Sequence, residues 1–433
     1  MRTHSRGRRA AVAVAAVASM SFSLAACGGG GDSAADANEV TIWSSMDEPV
    51  QAGLEKTLTA QAKEAGYTID WQKVENVNQL IMTKLQANDL PDIAFLPQPG
   101  VVADVVERGA GEPLDDVLDM GALEKSMTPG TLDAGTIDGK LYGLLTSMNV
   151  KSLVFYNKKA FDEAGYEAPA TIDDLNALTE QIKADGGTPW CMGIEDGTAT
   201  GWAATDWFED LVMRYGGADG YNSWVSHETP FDSDVVREAA AEFEELMFTE
   251  GNVLGGRKAI TSTNFGTAGN PMFDAKPGCW LYKQGSFITG FFPEDVVANL
   301  DANVGVFGFP PADAGGENPV LGGGDLAMML DDSEATQAVM KFLSAPEIGE
   351  EAAGSSSFIS PHKTFDVSLY PNELTRSYAD VAYSSTAFLF DGSDQMPGEV
   401  GAGSFWKEMT AWIGDQQDLD TTLTNIDDSW PAS

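Results

Sequence analysis

The chain has 433 residues, with 25 Lys and Arg against 66 Asp and Glu and a formal net charge of −41 at pH 7. Such an acidic chain repels nucleic acid and anionic lipid headgroups, and its 43% hydrophobic content argues against disorder. The length exceeds what one core accommodates, so two domains or lobes are expected, and beyond the N-terminal apolar run no stretch approaches the ~18 apolar residues of a membrane-spanning helix.

The chain opens on a basic head, Arg2, Arg6, Arg8 and Arg9, followed by an uncharged Ala/Val-rich stretch over 10–24. A charged head, a short apolar run and small residues before a cleavage point form an export signal. Leu24-Ala25-Ala26-Cys27 resembles a bacterial lipobox. That resemblance implies cleavage before Cys27 and a lipid on its thiol; an ordinary secretory signal with an incidental cysteine is the alternative. Residues 1–26 read as a lipoprotein signal peptide and 27–38, beginning Gly28-Gly29-Gly30-Gly31, as a flexible tether. With Cys27 as anchor, Cys191 and Cys279 remain in an exported chain, where disulfides persist. A Cys191–Cys279 bridge is expected, two separate buried thiols being the alternative. The mature histidines are His227 and His362, and with no His/Cys cluster neither a metal nor a cofactor is expected.

From Glu39 short β-rich runs alternate with helices. Strands are expected over 39–43, 67–74 and 92–96, with helices over 49–65 and 77–88 between them. This β-α-β-α-β order implies a parallel sheet with right-handed crossovers, whose ligands sit outside the carboxyl ends of the strands. Those ends are Trp43-Ser44-Ser45, Glu75-Asn76 and Pro97-Gln98-Pro99. A second unit begins with an apolar strand over 152–156 and a helix over 158–164. Thr171 is the expected N-cap of another helix, and helices follow near 205–215 and 234–250. The segment 261–285, rich in Gly, Asn and Pro, reads as loop and strand. A helix over 333–343 lies beyond the glycine run Gly322-Gly323-Gly324, and the end from about Phe405 is mixed helix.

Several strings then stand in a familiar order: Pro91-Asp92-Ile93, Gly139-Lys140-Leu141-Tyr142-Gly143 before Leu153 to Lys158, Gly278-Cys279-Trp280, the glycine run, and Gly403-Ser404-Phe405-Trp406. Together they resemble the carbohydrate-binding lipoproteins of ABC importers, the family-1 extracellular solute-binding proteins that include the maltose-binding proteins. Thr188 to Gly193, Gly201 to Trp207, Gly255-Gly256-Arg257, Phe390 to Asp394 and Ser429-Trp430-Pro431 resemble its α-glucoside-binding subgroup. The resemblance implies an α/β, two-lobed periplasmic-binding-protein-like fold with several chain crossings. It implies a non-enzymatic importer subunit, monomeric, held at the extracytoplasmic face by lipid on Cys27. Its partners are then a short α-glucoside (trehalose, sucrose, maltose or similar) and membrane permease subunits. The first lobe is expected to hold 39–148 and 326–375, and the second 152–322 and 376–433.

A sugar presents C–H patches on its faces and hydroxyls at its rim, so its site needs flat aromatics and planar polar groups. Trp43, Trp202, Trp280 and Trp406 fall at strand ends or Gly-rich loops; the resemblance places stacking residues near Trp202 and Trp406. Trp43 serves the cleft or packs beneath the first strand's turn. Asp206 lies one turn from Trp202 and either shares its helix face or caps the helix. Ser45, Glu75 and Gln98 are hydroxyl partners or ordinary loop polar groups. Gly323 lets backbone approach closely, and Asp325 is within reach of the cleft. The glycine run is no phosphate loop, since no Lys-Ser/Thr follows it. Asp391 and Asp394 line the cleft or order a turn. The rival class is an exported glycosidase, which needs two carboxylates ~5–9 Å apart across a cleft; nothing in the chain resembles a glycosidase motif.

Overall fold

The computed structural model describes residues 38–87 and 89–431. The expected signal peptide, most of the expected tether and the expected lipidation position Cys27 lie outside these residues.

Strands run in chain order as β1 (Glu39–Ser44), β2 (Thr68–Lys73), β3 (Ile93–Leu96), β4 (Thr136–Ile137), β5 (Lys140–Leu141), β6 (Gly143–Val150), β7 (Leu153–Asn157), β8 (Leu281–Gln284), β9 (Val304–Gly308), β10 (Val320–Met329) and β11 (Phe388–Phe390). The first sheet follows the order β11-β10-β3-β1-β2, with β6 also pairing β10. β1 pairs in parallel with both β2 and β3, as the β-α-β-α-β pattern requires. The long strand β10 runs antiparallel to β3 and β6 and parallel to β11. The second sheet is antiparallel, ordered β8-β7-β9.

The crossover helix Glu48–Ala65 buries Val50, Leu54, Leu58 and Ala62, a spacing of one turn that lays a single apolar stripe on the first sheet. Facing it from the far side of the sequence is helix Glu334–Leu343, which buries Ala335, Val339, Met340 and Leu343. The second core is aromatic and surrounds helix Trp202–Val225: Trp207 meets Trp190, Phe243 and Phe309 edge to face. Cys191 and Cys279 are disulfide-bonded, tying the segment after Trp190 to the approach to β8. Among the described residues no helix is long and apolar enough to cross a membrane.

Three sequence expectations differ from the fold in instructive ways. The helix expected near 205–215 is longer, because Gly216-Gly217 is not a stop; Gly217 takes φ 64 and the chain resumes helical turns after that kink. The glycine run lies inside β10 rather than ahead of a strand. A Cβ on Gly324 would collide with the Ser147 carbonyl oxygen, so glycine is what allows β10 to lie this close to β6. The segment 376–433, expected wholly in the second lobe, contributes β11 to the first sheet.

The chain passes between the sheets at three places. Only Lys151 and Ser152 separate β6 from β7. Ser152 supports the neighbouring passage, its hydroxyl accepting from Leu321 N–H at 2.8 Å. Asp391 follows β11 directly, its N–H donating to Gly322 O at 2.7 Å. The candidate site lies where these passages converge.

Candidate functional site

Two adjoining cavities, of about 280 and 290 Å³, share Pro97, Asn149 and Asp325. Ser45, Asp47 and Ser147 line the part beside the first sheet. Lys151, Trp202, Phe287, Gly323 and Asp394 line the other part. The cleft thus has a polar wall at the carboxyl ends of β1 and β3, where a parallel sheet leaves its strand-end residues free. An aromatic wall, Trp202 and Phe287, faces it. This is the combination a sugar requires: flat apolar surface on one side, hydroxyl acceptors and donors on the other.

Local structure explains each placement. Trp202 opens helix Trp202–Val225. Its Nε1 donates to Asp196 Oδ2 at 2.9 Å, and Phe265 meets its ring edge to face at 4.9 Å. Gly201 before it takes φ 121, and a Cβ there would strike Trp406, so the helix start and Trp406 press together through a glycine. Trp406 is half-buried behind this wall, Nε1 3.4 Å from Ser393 Oγ. Gln98 ends the turn after β3; it accepts from Asn78 Nδ2 at 2.8 Å and donates to Asp394 Oδ1 at 2.9 Å. Asp325, on β10, accepts from Ser147 Oγ at 3.3 Å, and burial pushes its carboxyl up to about 6. Of the expected residues, Ser45, Trp202, Gly323 and Asp325 therefore line one cleft, Trp406 packs behind it, and Gln98 lines a neighbouring cavity that shares Asp394 with it.

Others do not. Trp43 points along the sheet, its Nε1 donating to Gln72 Oε1 at 3.1 Å on the neighbouring strand. Glu75 is exposed in the turn after β2, an edge strand, away from the cavities. Trp280 packs edge to face on Tyr166 at 5.0 Å and lines a separate cavity with Asp185 and Lys276. These three are corrected: they are not cleft residues.

Asp206 is buried beneath the cleft rather than lining it. Its Oδ1 accepts from Lys151 Nζ at 3.0 Å, and Asp391 pairs with the same ammonium. Asp391 also accepts from Ser393 Oγ at 2.8 Å and from Asp394 N–H at 3.1 Å. Beside them Glu209 accepts the N–H groups of Gly392 and Ser393 at 2.8 and 3.1 Å, clamping the Asp391 to Asp394 turn. One turn along, Asp210 pairs with Lys283 at 3.0 Å and Arg214 at 2.9 Å. Burial pushes Glu209 and Asp206 up, and the crowding carboxylates add to this. Burial opposes the Asp391 charge too, but the Lys151 ammonium and its hydrogen bonds hold that carboxyl below its usual range. Lys151 itself, despite burial, is held charged by Asp206, Asp391 and Asp394. Carboxylate oxygens of Asp206, Glu209 and Asp391 lie within 4.8 Å of one another. The Lys151 ammonium pairs with Asp206 and Asp391, Glu209 accepts the amides of Gly392 and Ser393, and the buried Asp206 Oδ2 has no hydrogen-bond partner among the described residues.

Sequence reasoning missed Lys151, Glu209, Asn149, Ser147, Asp47 and Phe287. Two carried a readable signal. Lys151 is a lone charge between the apolar runs of β6 and β7, and Glu209 is an acid among Trp207, Phe208 and Leu211. Charges in such settings are paired when buried.

Comparison with known proteins agrees with this geometry. Residues 43–347 match the model of the family described as bacterial extracellular solute-binding protein. The chain is 38% identical over 399 residues to the alpha-glucosides-binding periplasmic protein AglE of Rhizobium meliloti, covering 90% of this chain and 86% of that protein. It is 36% identical over 396 residues to the osmoprotective compounds-binding protein GgtB of Synechocystis sp., covering 92% and 93%. Among solved structures, the bacterial solute receptor AcbH superposes with a TM-score of 0.76 at 17% identity, over 90% of this chain and 98% of that one. The sugar-binding protein MalE of Xanthomonas citri superposes with a TM-score of 0.71 at 16% identity, over 90% and 95%. The last two establish the two-lobed fold.

Proposed function

The chain belongs to the bacterial extracellular solute-binding proteins, and on that premise we propose that it captures a short α-glucoside between two lobes as the lipid-anchored substrate-binding subunit of an ABC sugar importer. It is a solute receptor of the extracytoplasmic side, not an enzyme, and serves sugar import. Trehalose, sucrose or maltose is the class of ligand, in keeping with the full-length relative named for α-glucosides.

The observation that carries this reading is the pairing of the Trp202–Phe287 wall with the Ser45, Asn149 and Asp325 wall across one cleft. Lys151, the cation lining the cleft, is already paired with Asp206 and Asp391, and Asp47, Asp325 and Asp394 also line it, which disfavours an anionic ligand. Each lobe would be built on one sheet, the first from 39–148 and 326–375 with β11, the second from 152–322 and most of 376–433. Closure would bend the passages at Lys151–Ser152, between β9 and β10, and at Asp391. It requires the ligand to bind the closed form more tightly than the open one. Lipid on Cys27 and the glycine-rich tether would keep a monomeric body within reach of the permease. A second acyl chain is needed for stable anchoring.

A thermal-shift panel tests the ligand class: a disaccharide at 100 times its Kd should stabilise the protein by about 2.7 kcal/mol. No shift with any α-linked disaccharide would overturn it. Cys27→Ser tests the anchor, and retention of that variant in the membrane fraction would contradict it.

A further inference from the structure

We propose that Lys151 is the positioning residue of the cleft: clamped by Asp206 and Asp391, its ammonium holds the Trp202 ring in the attitude that a sugar face stacks upon. This rests on the α-glucoside reading of the same cleft.

The geometry is a bracket. The Lys151 Nζ lies 3.0 Å from Asp206 Oδ1, in contact with the Asp391 carboxylate, and 5.5 Å from the centre of the Trp202 ring. A cation within ~6 Å of an indole face is attracted by the ring quadrupole. The side chain of Lys151 is 12% exposed and those of Asp206 and Asp391 are 5% and 3%. Trp202 and Asp206 stand one turn apart on one helix, so the ammonium holds that turn at two points, by charge on Asp206 and by the ring of Trp202. Its own backbone belongs to the passage between β6 and β7, and Asp391 belongs to the passage after β11. One cation therefore joins the aromatic wall to two of the three passages between the sheets.

The same bonds exclude another role. A lysine at a cleft commonly recruits anions, but this one already faces two carboxylates, with Asp394 on the adjoining wall. It presents little free charge to a phosphate or carboxylate ligand. Its influence on binding passes through Trp202.

The test is a mutant cycle read by disaccharide calorimetry and by near-UV circular dichroism of the sugar-free protein. Lys151→Met should raise the Kd about tenfold or more in the parent protein. In a Trp202→Ala background it should change the Kd by less than about twofold, because the group it acts through is gone. Asp206→Asn keeps the hydrogen bond, lowers the buried charge and does not line the cleft. It should weaken binding in the same direction and alter the tryptophan dichroism before any sugar is added. If Lys151→Met does not fold, Asp206→Asn carries the same comparison. Equal losses in both backgrounds, or an unchanged tryptophan signal in Asp206→Asn, would overturn the proposal. Absence of sugar binding by the parent protein would instead refute the α-glucoside reading, and the sugar-free dichroism would still decide whether Lys151 sets the ring.

Discussion

Gln98 and Asp394, 296 residues apart in sequence, meet through a hydrogen bond of 2.9 Å from Gln98 Nε2 to Asp394 Oδ1. Asn78 fixes the orientation of the Gln98 amide from the other side. The pair joins the carboxyl end of β3 to the turn that follows β11, at the edge of the cleft. Gln98→Ala should weaken disaccharide binding by about 1–2 kcal/mol by leaving a half-buried carboxyl without its donor. Calorimetry on the variant checks this, and unchanged affinity would remove Gln98 from the site.

Trp202→Ala and Trp406→Ala should each cost about 2 kcal/mol or more of binding while folding cooperatively. Trp280→Ala and Trp43→Ala should leave affinity near that of the parent, since those rings pack on Tyr166 and against Gln72 outside the cleft. Titration of the four variants with one disaccharide distinguishes the two classes.

Removing the disulfide by the double change Cys191→Ala and Cys279→Ala should destabilise the protein by about 4–5 kcal/mol in the chain-entropy account, given a separation of 88 residues. Denaturant titration of the oxidised parent and the double variant measures it. Coincident unfolding curves would show the bridge adds nothing.

Asp325 predicts a pH dependence with a definite sign. Burial raises its folded value from 3.8 to about 6, so the folded state holds a proton that the unfolded chain releases. Its contribution is fully present below about pH 4 and fades as pH rises through about 6. Asp325→Asn should therefore flatten the stability profile over that window and gain about 1 kcal/mol at pH 7. His362 acts oppositely: burial lowers it to about 4, so its contribution is lost as pH falls from 6.5 towards 4. His362→Gln should remove that acid-side loss, which denaturation at pH 4.5 and 7 would reveal.

The first three strands and two helices were legible because each is local: an apolar run or a one-turn stripe, followed by a turn at Ser45, Gly66 or Pro97. What the sequence could not present is the meeting of distant segments. Asp206 and Asp391 read singly as a helix-face acid and a turn residue, and Lys151 drew no reading at all. Only the packing of helix Trp202–Val225 against the passages between the sheets makes them one cluster. Trp202 and Trp406 were legible through motif resemblance. Trp43, Glu75 and Trp280 were misplaced because a strand end does not reveal which face its side chain takes. The strand β11 went unread because three residues carry no periodicity, and the glycines of β10 resemble a loop until the carbonyl of Ser147 is seen against them.

The cleft between the two sheets is proposed to bind an α-glucoside. Titrating the purified Cys27→Ser protein calorimetrically with trehalose, sucrose and maltose tests it most directly, alongside the same protein carrying Trp202→Ala and Trp406→Ala. The parent should show saturable single-site binding of at least one disaccharide, abolished or strongly weakened in the tryptophan variant. No heat with any of the three, or undiminished binding in that variant, would contradict it.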